Sequence, residues 1–336
     1  MSDTRLLSTG LPRRSFLAGL AGLGALGALA AAGCAAPSTL TANSAATGGT
    51  LRVGLLPIVD VLPIYVADSE GFFKAQNLDV QLSLFASALE RDAALQAGQL
   101  DVELNDLVSA CLLNKDGKSI RVIRLSYRGN PTMPMMTIVA GPGTTIKTPA
   151  DLKNVEIAIS GNTVIEYATD KMLEGAGLAP GEIKKTEVTK IPVRTEMLAK
   201  GQVQAATLPE PFTSLAIAQG SRRVIDDGKT GIGCSVITAR KDAIDKRASQ
   251  LKGFLAAYQQ AVTTIAASPE KYRSLFIDKA KIPEQLQNTL PIPPYPGSEV
   301  PTKEDVAAVA KWSVAKGLIP SELSYDSMVD ATLLPK

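Results

Sequence analysis

From Leu51 onward, short apolar runs alternate with amphipathic segments, and this alternation limits the possible folds more than any other feature of the chain. "LRVGLL" (Leu51 to Leu56) is a buried-strand run, and the segment after it, "DVLPIYVADSEGFFKAQNL", opens as a helix near Asp60 and stops around Gly71. "DVQLSLF" is a second strand. "SALERDAALQAGQL" is a helix whose inner side is expected at Leu89, Ala93 and Leu95–Ala97, with Gly98 as its stop. "DVELND", "DLVSACLLNKDG" and "IRVIRLSY" continue the series as strand, helix, strand. Strands that each lead into a helix imply a parallel sheet covered on both faces.

A second series then repeats the pattern. "MTIVAG" and "VEIAI" are strands, and "VEIAI" runs through the small polar turn "SGNT" (Ser160 to Thr163) into the helix ending at "EGAGL". "IKKTEV", "RTEMLAKGQ" and "VQAATL" follow as strand, helix, strand. In "PEPF", Pro211 suits the first turn of a helix through Gly220. "CSVITAR" (Cys234 to Arg240) holds a place like that of "MTIVAG", and these two runs are the candidate strands crossing between lobes. The expected boundaries are residues 50–134 for the first part of lobe 1, 135–237 for lobe 2, and 238–336 for the rest of lobe 1 with the C-terminal helices. The Pro-rich "PIPPYPG" (Pro291 to Gly297) is either a site wall or a plain surface connection. Ligands of open parallel sheets sit beyond the carboxyl ends of the strands, so "SGNT" is expected to point into a cleft between the lobes.

The start of the chain has a separate logic. "LPRRSFLAGLAGLGALGALAAAGC" joins a basic region to a Gly- and Ala-rich apolar stretch, then to small residues before Cys34. Arg13 and Arg14 with Phe16 and Leu17 resemble a twin-arginine export signal, with general secretion as the alternative route. "AAGC" resembles a lipobox, with Ala31 where Leu is preferred. Residues 1–33 are then a signal peptide and Cys34 a lipidated N-terminus, the other reading being a retained transmembrane helix. Residues 34–49 are small and polar, a tether reaching roughly 20 Å over about 15 residues.

Composition narrows the chemistry. The net charge of +2 comes from the first 33 residues, where Arg5, Arg13 and Arg14 outnumber Asp3, so the remainder is balanced. No basic field exists for nucleic acid. Histidine is absent, which removes the commonest general base and zinc ligand and the usual nucleophile pairs. No cofactor and no metal site is expected. Cys111 and Cys234 lie in apolar surroundings and read as buried thiols, with a disulfide as the alternative. "GPG" (Gly141 to Gly143) lacks the Lys-Ser/Thr of a phosphate loop and reads as a turn.

Five stretches in order resemble the periplasmic substrate-binding proteins of the nitrate/sulfonate/taurine ABC-importer group, which includes binders of thiamine-precursor pyrimidines. They are "PIVDVLPIYVADSEGFFKAQNLDV", "FASALERDAALQAGQLDVELND", "SGNTVIEYATDKMLEGAGL", "IPVRTEMLAKGQVQAATLPEPF" and "VAKWSVAKGLIPSELSYDSMVDATLLP". The likeness runs from Leu51 to Pro335. It implies a type II periplasmic-binding-protein fold, two α/β lobes joined by two crossover strands around a ligand cleft. It also implies a monomer that closes on a small polar or planar solute and delivers it to an ABC permease and its ATPase, anchored to the membrane through Cys34. The rival reading is an enzyme on the same fold, of the pyrimidine-precursor synthase or menaquinone-pathway type. The synthase type depends on a histidine and a cysteine-rich motif that this chain lacks.

Carried over by position, the ligand-facing residues implied by the resemblance are Asp60, Tyr65, Ser87, Asn105 and Asp106 in lobe 1. In lobe 2 they are Ser160, Gly161, Asn162, Thr163, Arg194 and Glu210. Each has a plainer reading beside the functional one. The Ser160–Thr163 turn either presents N–H donors to an anion or caps its helix. Asp60 and Asp106 open helices and either cap them or take amino and ring N–H donors. Tyr65 and Tyr127 either stack on a planar ligand or sit in the core. Arg194 either forks onto a carboxylate or sulfonate or pairs with Glu196. Glu210, between two prolines, suits a hinge or a site wall. Glu166 reads as a solvated charge or hinge partner.

Overall fold

The computed structural model describes residues 49–117 and 119–336; the expected signal peptide, the tether up to residue 48 and Cys34 lie outside them. In chain order the elements are β1 (Leu51–Leu55), α1 (Leu62–Ser69), α2 (Phe72–Ala75), β2 (Val80–Leu84), α3 (Ala88–Gln96), β3 (Val102–Asp106), α4 (Leu107–Leu113) and β4 (Ile120–Arg128). Then come β5 (Met136–Ala140), β6 (Glu156–Ile159), α5 (Val164–Gly175), β7 (Lys184–Glu187), α6 (Ile191–Ala199), β8 (Ala205–Pro209), α7 (Phe212–Ala218) and β9 (Arg222–Asp226). The chain finishes with β10 (Cys234–Arg240), α8 (Lys241–Ala267), α9 (Arg273–Lys279), α10 (Lys303–Ala315) and α11 (Tyr325–Met328).

Two five-stranded sheets result, ordered β2-β1-β3-β10-β4 and β7-β6-β8-β5-β9. In the first, β1 pairs in parallel with β2 and β3, while β10 runs antiparallel between β3 and β4. The second repeats this: β6 is parallel to β7 and β8, and β5 is antiparallel to β8 and β9. The sheets are therefore mixed rather than purely parallel. The cause is where the chain crosses. It leaves each sheet at a carboxyl end, after Arg128 and after Asp226, so the next strand starts at the matching edge of the other sheet and must run away from it.

This corrects the assignment of the crossing strands. "MTIVA" lies wholly in the second sheet and "CSVITAR" wholly in the first. The crossings are the connections between β4 and β5 and between β9 and β10, so the return to lobe 1 falls before Cys234 rather than after residue 237. Asp227 fastens the two connections together. Its Oδ1 accepts from the N–H groups of Met135 and Met136 (2.9 and 3.0 Å), and its Oδ2 from that of Gly233 (3.3 Å). Gly129 is required there, since a Cβ would lie 2.5 Å from the Met135 nitrogen.

Strands β3, β5 and β8 are buried along their whole length, as strands covered on both faces must be. Phe73 of α2 stacks on Phe254 of α8 at 5.2 Å, anchoring the long helix across lobe 1. Cys111 and Cys234 are buried free thiols. Helix α3 departs in part from the expected face: Leu95 points inward as expected, but Leu89 is 68% exposed and Ala93 is exposed, while Arg91 and Ala94 take the inner side. The Arg91 guanidinium reaches the Leu104 carbonyl at 2.6 Å, and that bond turns the charged residue to the inside. No helix among the described residues is long and apolar enough to cross a membrane.

Candidate functional site

The carboxyl ends of β1, β3, β6 and β8 converge on a cleft between the sheets. The space between the walls, open solvent at the mouth included, is about 680 Å³. Lobe 1 contributes Asp60, Asn105, Asp106, Tyr127 and Ser235, and lobe 2 Ser160, Thr163, Thr189 and Glu210. Between these polar positions the lining is apolar, with Met135, Met136, Val164 and Ile165 on it.

Six of the expected residues line the cleft together: Asp60, Asn105, Asp106, Ser160, Thr163 and Glu210. Five do not. Tyr65 is buried in α1 with Lys279 5.3 Å from its ring centroid. Ser87 caps α3 by accepting from the Glu90 N–H at 3.3 Å. Gly161 and Asn162 lie beside the cleft, with their N–H groups bonded to the carboxylates of Glu187 and Glu166 (both 2.9 Å). Arg194 is fully buried behind the wall and donates to Ser160 Oγ (2.7 Å) and the Val188 carbonyl (2.8 Å), not to Glu196. Burial pulls its guanidinium down to about 9.

The polar wall is largely bonded to itself. Ser160 donates to the Thr189 carbonyl, Thr163 to the Ser160 carbonyl, Thr189 to Glu187, and Tyr127 to the Met133 carbonyl. Ser235 donates to Asp60 Oδ2. Asp106 does cap α4, accepting from the Val108 and Ser109 N–H groups at 2.9 Å. Glu210, joined to Pro211 by a cis bond, caps α7 by accepting from Ser214. Capping and cleft-lining coincide at both acids.

Three buried carboxyls on this wall have acidities shifted the same way. Burial pushes Asp60 up to about 6 despite Ser235. Burial also raises Asp106, although Arg91 opposes it, and raises Glu210. Glu103 sits behind Asn105, and burial pushes it upward against the pull of Arg91, whose Nε is 3.4 Å from Oε2.

Arg91, Thr189 and Ser235 are polar lining residues that sequence reasoning missed. Arg91 sits in the charged run "ERD", which reads as a solvated face, and its guanidinium is occupied by Asp92, the Leu104 carbonyl and Asn105 Oδ1. Ser235 was hidden by the misplaced crossing. The Pro-rich loop forms the back of the site rather than its wall: Tyr295 donates to the Val59 carbonyl at 2.7 Å and packs edge-on to Tyr127 at 6.4 Å. No cluster of potential metal ligands occurs among the described residues.

The lobes also meet outside the cleft. From α10 of lobe 1, Trp312 Nε1 donates to Asp170 Oδ2 (3.0 Å), and Lys316 Nζ lies 2.9 Å from Glu166 Oε1 and 3.6 Å from Asp170 Oδ2. Lys185 of β7 completes the cluster, 2.7 Å from Glu166 and 2.6 Å from Asp170. Glu166 is thus buried between two ammonium groups.

The pattern of the family described as NMT1/THI5 like matches residues 58–272, more than half of the chain. A putative aliphatic sulfonates-binding protein of Escherichia coli (strain K12) is 23% identical over 258 residues, 75% of this chain and 78% of that protein. The alkanesulfonate-binding protein SsuA of Xanthomonas axonopodis pv. citri, solved with MOPS bound, superposes with a TM-score of 0.71 at 17% identity, covering 84% of this chain and 98% of that one. The periplasmic nitrate-binding protein NrtA of Synechocystis PCC 6803 gives 0.69 at 14% identity, covering 84% and 86%. The sheet orders, the two crossings and the cleft are therefore those of the two-lobed periplasmic-binding-protein fold, and the chain belongs to the NMT1/THI5-like family.

Proposed function

We propose that this protein is the extracytoplasmic solute-binding component of an ABC importer. It captures a small organic solute between its lobes and hands it to a permease, held at the membrane by lipid on Cys34. The observation that carries the reading is the cleft, walled by polar and apolar residues of both lobes at the carboxyl ends of both sheets. A ligand that touches both walls binds the closed form more tightly than the open one and shifts the population toward it. The names of the relatives, binders of sulfonates and of nitrate, support the importer role.

The reading is tested by mass spectrometry of small molecules released from the purified chain, followed by thermal shift with each one. A captured solute must be recovered unaltered after incubation and must raise the melting temperature, as any ligand of the native state alone does. Chemical conversion of the recovered molecule would contradict the proposal.

A further inference from the structure

We infer that the solute presents a nitrogen rich in N–H groups, an amine or amidine, on a flat apolar body, and that Asp60 accepts from that nitrogen. This rests on the solute-binding reading of the same cleft and names what the cleft selects.

A site for an oxyanion needs donors left open toward the cavity. Here the hydroxyls of Ser160, Thr163, Thr189, Tyr127 and Ser235 all donate to acceptors of the protein itself. The start of α5, which the sequence offers as an anion cradle, has its Gly161 and Asn162 N–H groups on the carboxylates of Glu187 and Glu166. Two negative charges already occupy the positive end of the helix. Arg91, the cation on the lining, is held by Asp92, Asn105 and a backbone carbonyl.

Acceptors tell the opposite story. Asp60, Asp106 and Glu210 all line the cleft. Asp60 is 2% exposed, and only its Oδ2 is engaged, by Ser235; Oδ1 has no hydrogen-bond partner among the described residues. Asp60 lines the cleft, so this oxygen is free to accept from a ligand donor in a setting where a charge-assisted bond is strong. Met135, Met136, Val164 and Ile165 supply apolar surface for the body of the molecule. Arg194 is the observation that favours an anion, since its Nε and Nη2 have no hydrogen-bond partner among the described residues. It lies behind Ser160 and off the lining, and the neighbouring Glu187 offsets its charge.

The test uses ring-matched probes on the purified full chain: benzamidine, benzylamine, benzamide and benzenesulfonate, by thermal shift and calorimetry. The cationic probes are expected to raise the melting temperature and benzenesulfonate to leave it unchanged. Asp60→Asn should weaken benzamidine about tenfold or more, the scale of a lost charge-assisted bond. Asp60→Glu should retain the preference, which separates loss of charge from misfolding. Preferential binding of benzenesulfonate, strengthened in Asp60→Asn, would overturn the inference and leave the solute-binding reading standing. Binding of none of the four would count against the inference too, whereas conversion of a captured molecule would strike the solute-binding reading instead.

Discussion

Replacing Lys316 with Met removes a contact that exists only while the lobes touch. In the structure its ammonium reaches two carboxylates of lobe 2, at 2.9 and 3.6 Å, and its side chain is 33% exposed. A fully buried pair loses about 3–5 kcal/mol when one partner goes, and an exposed pair about 0–1. Lys316 sits between these limits, and Glu166 keeps Lys185 and the Asn162 N–H after the substitution. The expected loss is therefore about 1 kcal/mol, paid only by the closed form. At 1.4 kcal/mol per decade, solute affinity should fall about fivefold. Trp312, the only tryptophan of the sequence, packs edge-on to Tyr167 of α5 at 5.4 Å and donates to Asp170, so it reports on the same contact. Its emission should shift to the red in Lys316→Met without solute and return when solute is added. Lys185, Lys316 and the Asn162 N–H hold Glu166 down to about 2 against the effect of burial. The latch is then present across neutral and mildly acidic pH and is lost only as pH falls toward that value. Unchanged emission and unchanged affinity would refute the assignment of this cluster to lobe closure.

Other expectations follow from buried groups and close contacts. Burial raises Asp60 and Asp227 from 3.8 to about 6, so their contribution to folding is fully present below the unfolded value and is lost as pH rises through about 6. The solute-free chain should therefore melt a few degrees higher near about pH 5 than near about pH 8, from about 1 kcal/mol per group, since at about pH 5 only part of the effect remains; a higher melting point at the alkaline value would contradict this. Gly129→Ala should destabilise the chain by about 2 kcal/mol or more in urea unfolding, because its Cβ meets backbone rather than a movable side chain. Cys34→Ala should release the protein from cell membranes into the soluble fraction if lipid at that residue is the anchor.

The strand and helix order was legible because each apolar run is short and each helix carries its stop, such as Gly98 after α3 and Gly220 after α7. Sheet membership was not. "MTIVA" and "CSVITAR" are equally apolar, and only the edge at which the chain crosses decides that each joins the nearer sheet antiparallel. Asp106 and Glu210 were readable as strand-end acids before helices. The fate of the "SGNT" turn was hidden, since Glu187 reaches Gly161 from the next strand and Glu166 folds back from within its own helix. Arg91 and Arg194 exchange expected places for one reason: a long side chain buries its charge wherever backbone carbonyls and polar side chains can take its donors, and local sequence does not show those partners.

If the two lobes shut on a solute as proposed, the molecule must change size when loaded. Small-angle scattering of the purified chain, stripped of bound molecules by unfolding and refolding and then given back its own released solutes, measures this directly. Closure predicts a smaller radius of gyration after addition. The same radius with and without a solute shown to bind would contradict it.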